Sequence, residues 1–316
     1  MANRTTPQDY PRINDPNNRF HGFLDESKLT QHTLKISVDD LSEIIKNAIV
    51  TANKKSGRSI LNIPPNACED ELKEIYKKQG QELFKYFKKY CGDPASTANA
   101  CYKRHFSSIA KEQFRNRTLQ KERMNSGWRY QFIAKDSAIK SKRFLSVSDI
   151  GASEADFYVV IKRVDKDENV SIYVSVKNRT NTMGGQDWPK AIRALEEVAK
   201  ADKNRDGSYI CVFGIAMDDG LRNIKSDSKT HLPHSFNTEV WLSDFFWPFF
   251  SNYSYNEIIR IVLSILLEKG EENGLDIEIP ELLISTFGDE CRKRNLIDEN
   301  GIFNDPYGLV DLFCGV

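Results

Sequence analysis

Apolar residues recur at helical spacing through the first third of the chain and change period near residue 143. Ser37-Val-Asp-Asp-Leu41 offers a cap ahead of Leu41, Ile44, Ile45, Ala48 and Ile49, which share a stripe and predict a helix ended by Gly57. A second helix is predicted over 68–90, with Leu72, Ile75, Tyr76, Leu83, Phe84 and Phe87 on one side and lysines opposite. Cys91-Gly-Asp-Pro94 stops it. Further helical stretches are predicted over 97–114 and 119–139, before strands over 143–148, 156–162 and 170–177. Lys166-Asp-Glu-Asn169 joins the last two strands as a polar hairpin connection.

After the loop at 180–186, Asp187 caps a predicted helix over 188–201 that carries Pro189 in its first turn. Asp206-Gly207 turns into an apolar run at 208–217, the pattern of a buried strand. Residues 218–237 read as polar loop. Trp241, Phe245, Phe246, Trp247, Phe249 and Phe250 then form an aromatic cluster that reads as a core or subunit-contact plug. Helices follow at 257–268 and 280–292. The order helix, three strands, helix, strand predicts an α/β (α+β) fold, with a central mixed sheet flanked by helices. The expected blocks are an extended arm (1–36), a helical region (37–118), a core (119–217), and a loop with C-terminal helices (218–316).

Composition narrows the class. The chain has 316 residues, 40% hydrophobic and 28% charged, enough to bury a full core and ordinary for a soluble protein. It contains no long apolar run and its first ten residues lack an apolar signal region, so a cytoplasmic protein without a membrane partner is expected. The six cysteines form no C-x-x-C pair, which argues against zinc ribbons and disulfide scaffolds. A net charge of zero hides an asymmetry: residues 101–145 carry twelve basic residues against three acids, whereas 267–311 carry twelve acids against four bases. The basic stretch suits a polyanion.

The candidate chemistry lies on the strands. Alternation places Glu154 and Asp156 on one face, and Ser175 and Lys177 on one face of a later strand. If the strands pair, carboxylates and an amine converge at one sheet end. There they could hold Mg2+, which neutralises a phosphodiester and lowers the pKa of a bound water, while the lysine orients that water. Ser175 is a poor hard-cation ligand, so another acid is required. Glu154 is the first choice, with Asp187, Glu196 or Glu197 on the following helix, Asp149, and distantly Glu82 as alternatives. Arg179, Asn181, Thr182 and Gln186, around Gly184-Gly185, are expected to meet phosphates or base edges. Arg129 and Gln131 are expected near the scissile phosphate, and Lys142 and Arg143 on DNA. His231-Leu-Pro-His234 reads as loop.

Asp156 followed by Ser175-Val176-Lys177 resembles the PD-(D/E)XK nuclease signature, most like its type II restriction endonuclease branch. The likeness covers residues 119–217. It implies a restriction-endonuclease-like core, with Asp156 binding metal and Lys177 activating water. Ser175 stands where that family usually has Asp or Glu. The implied function is Mg2+-dependent, sequence-specific hydrolysis of double-stranded DNA by a homodimer, alongside a cognate DNA methyltransferase. Two alternatives stand beside it: a repair or recombination nuclease that reads DNA structure, and a non-catalytic DNA-binding regulator.

Overall fold

The computed structural model describes residues 24–55, 63–64, 66–182, 187–205, 207–268 and 278–315, except for the side chains of 122–124. The chain forms two compact units, residues 1–52 with 126–269, and residues 53–125 with 270–316. They interleave along the sequence instead of following one another as the expected blocks did. The first 23 residues of the expected arm lie outside the described residues. From residue 24 onward the lead-in is packed: Leu24 and Leu29 are buried, and Leu29 bridges to Arg163.

The first unit is built on a mixed sheet. Strands β1 (Ser146–Ser148), β2 (Phe157–Lys162) and β3 (Asn169–Lys177) form an antiparallel meander. Helix α5 (Trp188–Ala201) crosses over to β4 (Ser208–Ile215), which lies parallel to β3. Two further strands, β5 (Arg222–Asn223) and β6 (Thr238–Trp241), complete the six-stranded order β1-β2-β3-β4-β6-β5. Neither was expected from the sequence: 218–237, which holds β5, was read as loop, and no strand was assigned to 238–241.

Alternation sorts the buried residues of β3 and β4 onto two faces. Val170, Ile172, Val174, Ile210 and Val212 share a core with α1 (Val38–Lys55), the second half of α4 (Phe106–Ser141), α6 (Ser243–Ser251) and α7 (Tyr255–Glu268). Tyr173, Tyr209, Cys211 and Phe213 face the apolar side of α5 through Trp188, Ile192, Leu195 and Ala199. The aromatic cluster is core, as expected: Phe246, Trp247, Phe249 and Phe250 are buried. A Cβ on Gly214 would fall 2.2 Å from the Phe246 ring, so β4 lacks a side chain where that ring lies.

The second unit is helical. Helices α2 (Glu69–Lys89), α3 (Pro94–Cys101), α8 (Glu281–Arg292) and α9 (Pro306–Cys314) pack with the first half of α4. The core holds Phe84, Phe87, Phe114 and Phe287. The two helices expected over 97–114 and 119–139 resolve differently. A break at Tyr102–His105, where Lys103 has φ +61°, separates short α3 from one 36-residue α4. The helix runs unbroken through the polar stretch where a break was expected, and there the Thr118 hydroxyl donates to Phe114 O at 2.9 Å. The expected stop at Gly57 lies outside the described residues. Among the described residues, no helix is long and apolar enough to cross a membrane.

Candidate active site

The sheet pairing brings Asp156 to the end of β3. Because β2 and β3 are antiparallel, with Phe157 opposite Val174, the start of β2 lies beside the last residues of β3. Asp156 brackets Ser175. Its N–H donates to Val174 O at 2.8 Å, and its Oδ2 accepts the Val176 N–H at 2.6 Å. The carboxylate thus takes the acceptor role that the next ladder carbonyl would fill. Ser175 is 2% exposed, Lys177 is half-buried, and no ion pair involves Lys177 among the described residues.

The other candidate acids separate. The alternation expected to set Glu154 on the face of Asp156 ends at Phe157, because Ala155 packs into the cluster of Tyr173 on the α5 side. Glu154 is exposed and accepts the Ser153 hydroxyl at 2.6 Å, which holds its carboxyl below the usual range. Asp187 precedes α5, which starts at the same sheet end as Lys177: Trp188 packs on Phe213, the β4 partner of Ser175. The Asp187 side chain makes no capping bond to α5. Glu196 lies further along that helix. It accepts the hydroxyls of Ser235 and Thr238, and Thr238 pairs through Cys211 with Tyr173. Four residues of β3 separate that rung from Lys177, about 13 Å at strand rise. Asp149 pairs with Lys135 at 3.0 Å, and Glu82, in the second unit, pairs with Arg117 at 3.3 Å.

The expected DNA contacts divide in the same way. Arg143 is a correction. Its side chain is fully buried, donates to Thr30 O at 2.7 Å and Phe249 O at 2.9 Å, and pairs with Glu26 at 3.1 Å. A guanidinium so enclosed holds the packed lead-in onto α6 and is not presented to a ligand. Arg129 is also buried, at 8% exposure, whereas Gln131 is half-buried and Lys142 exposed. Arg179, Asn181 and Thr182 are exposed in the segment after β3, and Gln186 lies outside the described residues.

Asp218, which the sequence offered only as the start of a loop, organises that segment. It accepts the Thr180 N–H and hydroxyl, both at 2.7 Å, and pairs with Arg179 at 3.2 Å. Burial pushes its carboxyl up, but the Thr180 and Arg179 donors outweigh this and hold it below the usual range. Ser126 of α4 was missed too: its hydroxyl accepts from Asn178 Nδ2 at 3.0 Å, directly after Lys177. Neither partner carries a signal in sequence spacing. His231-Leu-Pro-His234 is a loop, bridged by Ser226 and Pro233.

The basic stretch is less available than its linear count suggests. Arg104, Arg117, Lys135, Lys140 and Arg143 pair with Glu112, Glu82, Asp149, Asp40 and Glu26, four of which lie outside residues 101–145. No protein-family model matches the chain, and no curated protein matches it.

Proposed function

We propose that the end of the sheet at Asp156 and Lys177 hydrolyses phosphodiester bonds in double-stranded DNA, as a type II restriction endonuclease does. The observation that carries this reading is the bracketing of Ser175 by Asp156, just ahead of β2, whose carboxylate accepts the N–H of Val176, the residue before Lys177 on β3. It draws support from the C-terminal ends of the parallel strands β3 and β4, where ligands commonly meet open α/β sheets. Phosphate would also meet the first turn of α5, whose N–H groups receive no side-chain cap from Asp187.

Magnesium is the implied cofactor. Among the described residues, no group of three or more His, Cys, Asp or Glu side chains is disposed to hold a metal ion. Magnesium is commonly held by one or two carboxylates, completed by waters and substrate phosphate, and that smaller donor set fits. Asp156 would hold it, with Asp187, whose side chain makes no capping bond to α5, as the second acid. When bound, the ion supplies charge neutralisation and an acidified water. Lys177 orients that water or meets the developing phosphate charge, and the Val176 N–H fixes the rotamer of Asp156. Homodimeric action on a two-fold site and a cognate methyltransferase belong to the same proposal.

A plasmid digest with magnesium tests it. Discrete fragments are expected, lost in Lys177→Ala. Nicking confined to branched or damaged DNA would replace it with the repair reading. Retarded but uncut DNA would favour the non-catalytic regulator, the second reading, for which the buried Ser175 hydroxyl in place of an acid is the specific support.

A further inference from the structure

Within the second unit, α2 and the first half of α4 wall an open-sided groove of about 320 Å³ that the sheet-end chemistry does not use. Helical spacing aligns its lining. Glu82, Lys85, Tyr86, Lys89 and Tyr90 follow one face of α2, and Arg117, Gln120 and Lys121 one face of α4. Four cations therefore converge against one carboxylate. Glu82 pairs with Arg117 at 3.3 Å, and Lys85 and Lys89 add positive charge along the α2 wall. Burial, with the adjacent Arg117 adding to it and Glu82 pulling more weakly the other way, lowers the Lys121 ammonium below the usual lysine range.

The groove also has a pair of packed aromatic rings. The rings of Tyr86 and Tyr90 lie 4.9 Å apart at an interplanar angle of 34°. Tyr86 is fixed by donating its hydroxyl to Gln120 Oε1 at 2.8 Å, whereas Tyr90 is 52% exposed. Lys89 Nζ lies 5.2 Å from the Tyr90 ring centroid, and an exposed ring beside lysines suits a strand whose bases stack while its phosphates draw the ammonium groups aside. A base inside a duplex keeps both faces against its neighbours and offers none to a tyrosine.

We infer that this groove binds an unpaired nucleotide of a DNA strand, with its base on the exposed ring of Tyr90, which Tyr86 backs, and its flanking phosphates on Lys85 and Lys89. The inference does not require the sheet end to be hydrolytic.

The test is fluorescence anisotropy of the full chain with a labelled thymidine oligonucleotide and with a duplex of equal length. Divalent cation is omitted so that nothing is cut, and failure of the hydrolytic reading leaves the result untouched. Tyr90→Ala is expected to weaken single-strand binding about tenfold, from the loss of one stacked base. Tyr90→Phe should retain wild-type affinity, and duplex binding should move less than twofold in either variant. Lys89→Gln should shallow the slope of log affinity against log salt by about 0.7 for the strand. Free thymidine monophosphate should compete only at much higher concentration, because it lacks the second phosphate; equal potency per molecule would overturn the strand assignment in favour of a mononucleotide site. Unchanged single-strand affinity in Tyr90→Ala, or an equal loss for duplex and strand, would also overturn the proposal.

Discussion

Oδ2 of Asp156 accepts the backbone N–H of Val176 at 2.6 Å, so a residue proposed to hold a cation also closes the β2–β3 ladder. The two roles separate by substitution. Asp156→Asn keeps an oxygen acceptor for the Val176 N–H and removes the negative charge. Asp156→Ala removes both. Asn is expected to abolish magnesium-dependent cutting with little change in stability, whereas Ala abolishes cutting and costs about 1.5–3 kcal/mol, the range for a hydrogen bond to a charged group. Urea denaturation beside a plasmid digest reads both quantities. Cutting by either variant at the wild-type rate removes Asp156 from the chemistry.

Arg143 makes the opposite separation. Its guanidinium ties Thr30, Phe249 and Glu26 together and lies 4.4 Å from the Phe249 ring centroid. Arg143→Ala should cost about 3–5 kcal/mol, as expected when one partner of a buried charged network is deleted. DNA affinity of the remaining folded protein should stay near wild type. A variant of normal stability with weakened DNA binding would return Arg143 to the interface where its sequence context had set it.

These contrasts show which parts of the fold could be read from the chain. Strands β2, β3 and β4 and helix α5 follow their hydrophobic period, because both faces of the sheet are covered and each face demands apolar residues. Strand β6 does not announce itself. It is four residues long and includes Glu239, buried only because Leu24 N–H, Trp241 Nε1 and Arg222 converge on its carboxylate. Leu24 lies 215 residues away, beyond the reach of any local pattern. The meeting of Asp156 with the end of β3 was legible from antiparallel pairing. The irregularity at Ala155, which breaks the strand alternation ahead of Phe157, was not. Window charge failed for the same reason as β6: the acids that answer Arg117, Lys140 and Arg143 come from distant segments.

The crossover into β4 depends on Gly207. It has φ +70°, and a Cβ there would fall 2.2 Å from the backbone oxygen of Asn169, the first residue of β3. Left-handed backbone costs an L residue about 1–2 kcal/mol, and the clash with a carbonyl that cannot rotate away adds to it. Gly207→Ala is therefore expected to lower stability by more than about 2 kcal/mol, with loss of the parallel β3–β4 pairing seen as faster amide exchange in both strands. A neutral substitution would mean that the turn is not held in this conformation in solution.

Glu196 gives the fold a pH dependence of defined sign. Burial raises its carboxyl above the usual range, with Ser235, Thr238, Asn237 and Lys200 pulling more weakly the other way. The folded protein therefore keeps this proton at pH values where the unfolded chain has already released it from a carboxyl of ordinary pKa 4.5. The associated stability is fully present below that value and is lost as pH rises through the folded pKa. Glu196→Gln mimics the protonated side chain and keeps an oxygen to accept from Ser235 and Thr238. The variant should match wild type near about pH 4 and exceed it near about pH 8, with the negative slope between them flattened. Urea midpoints across that range measure it, and parallel curves for the two proteins would show that Glu196 does not carry the dependence.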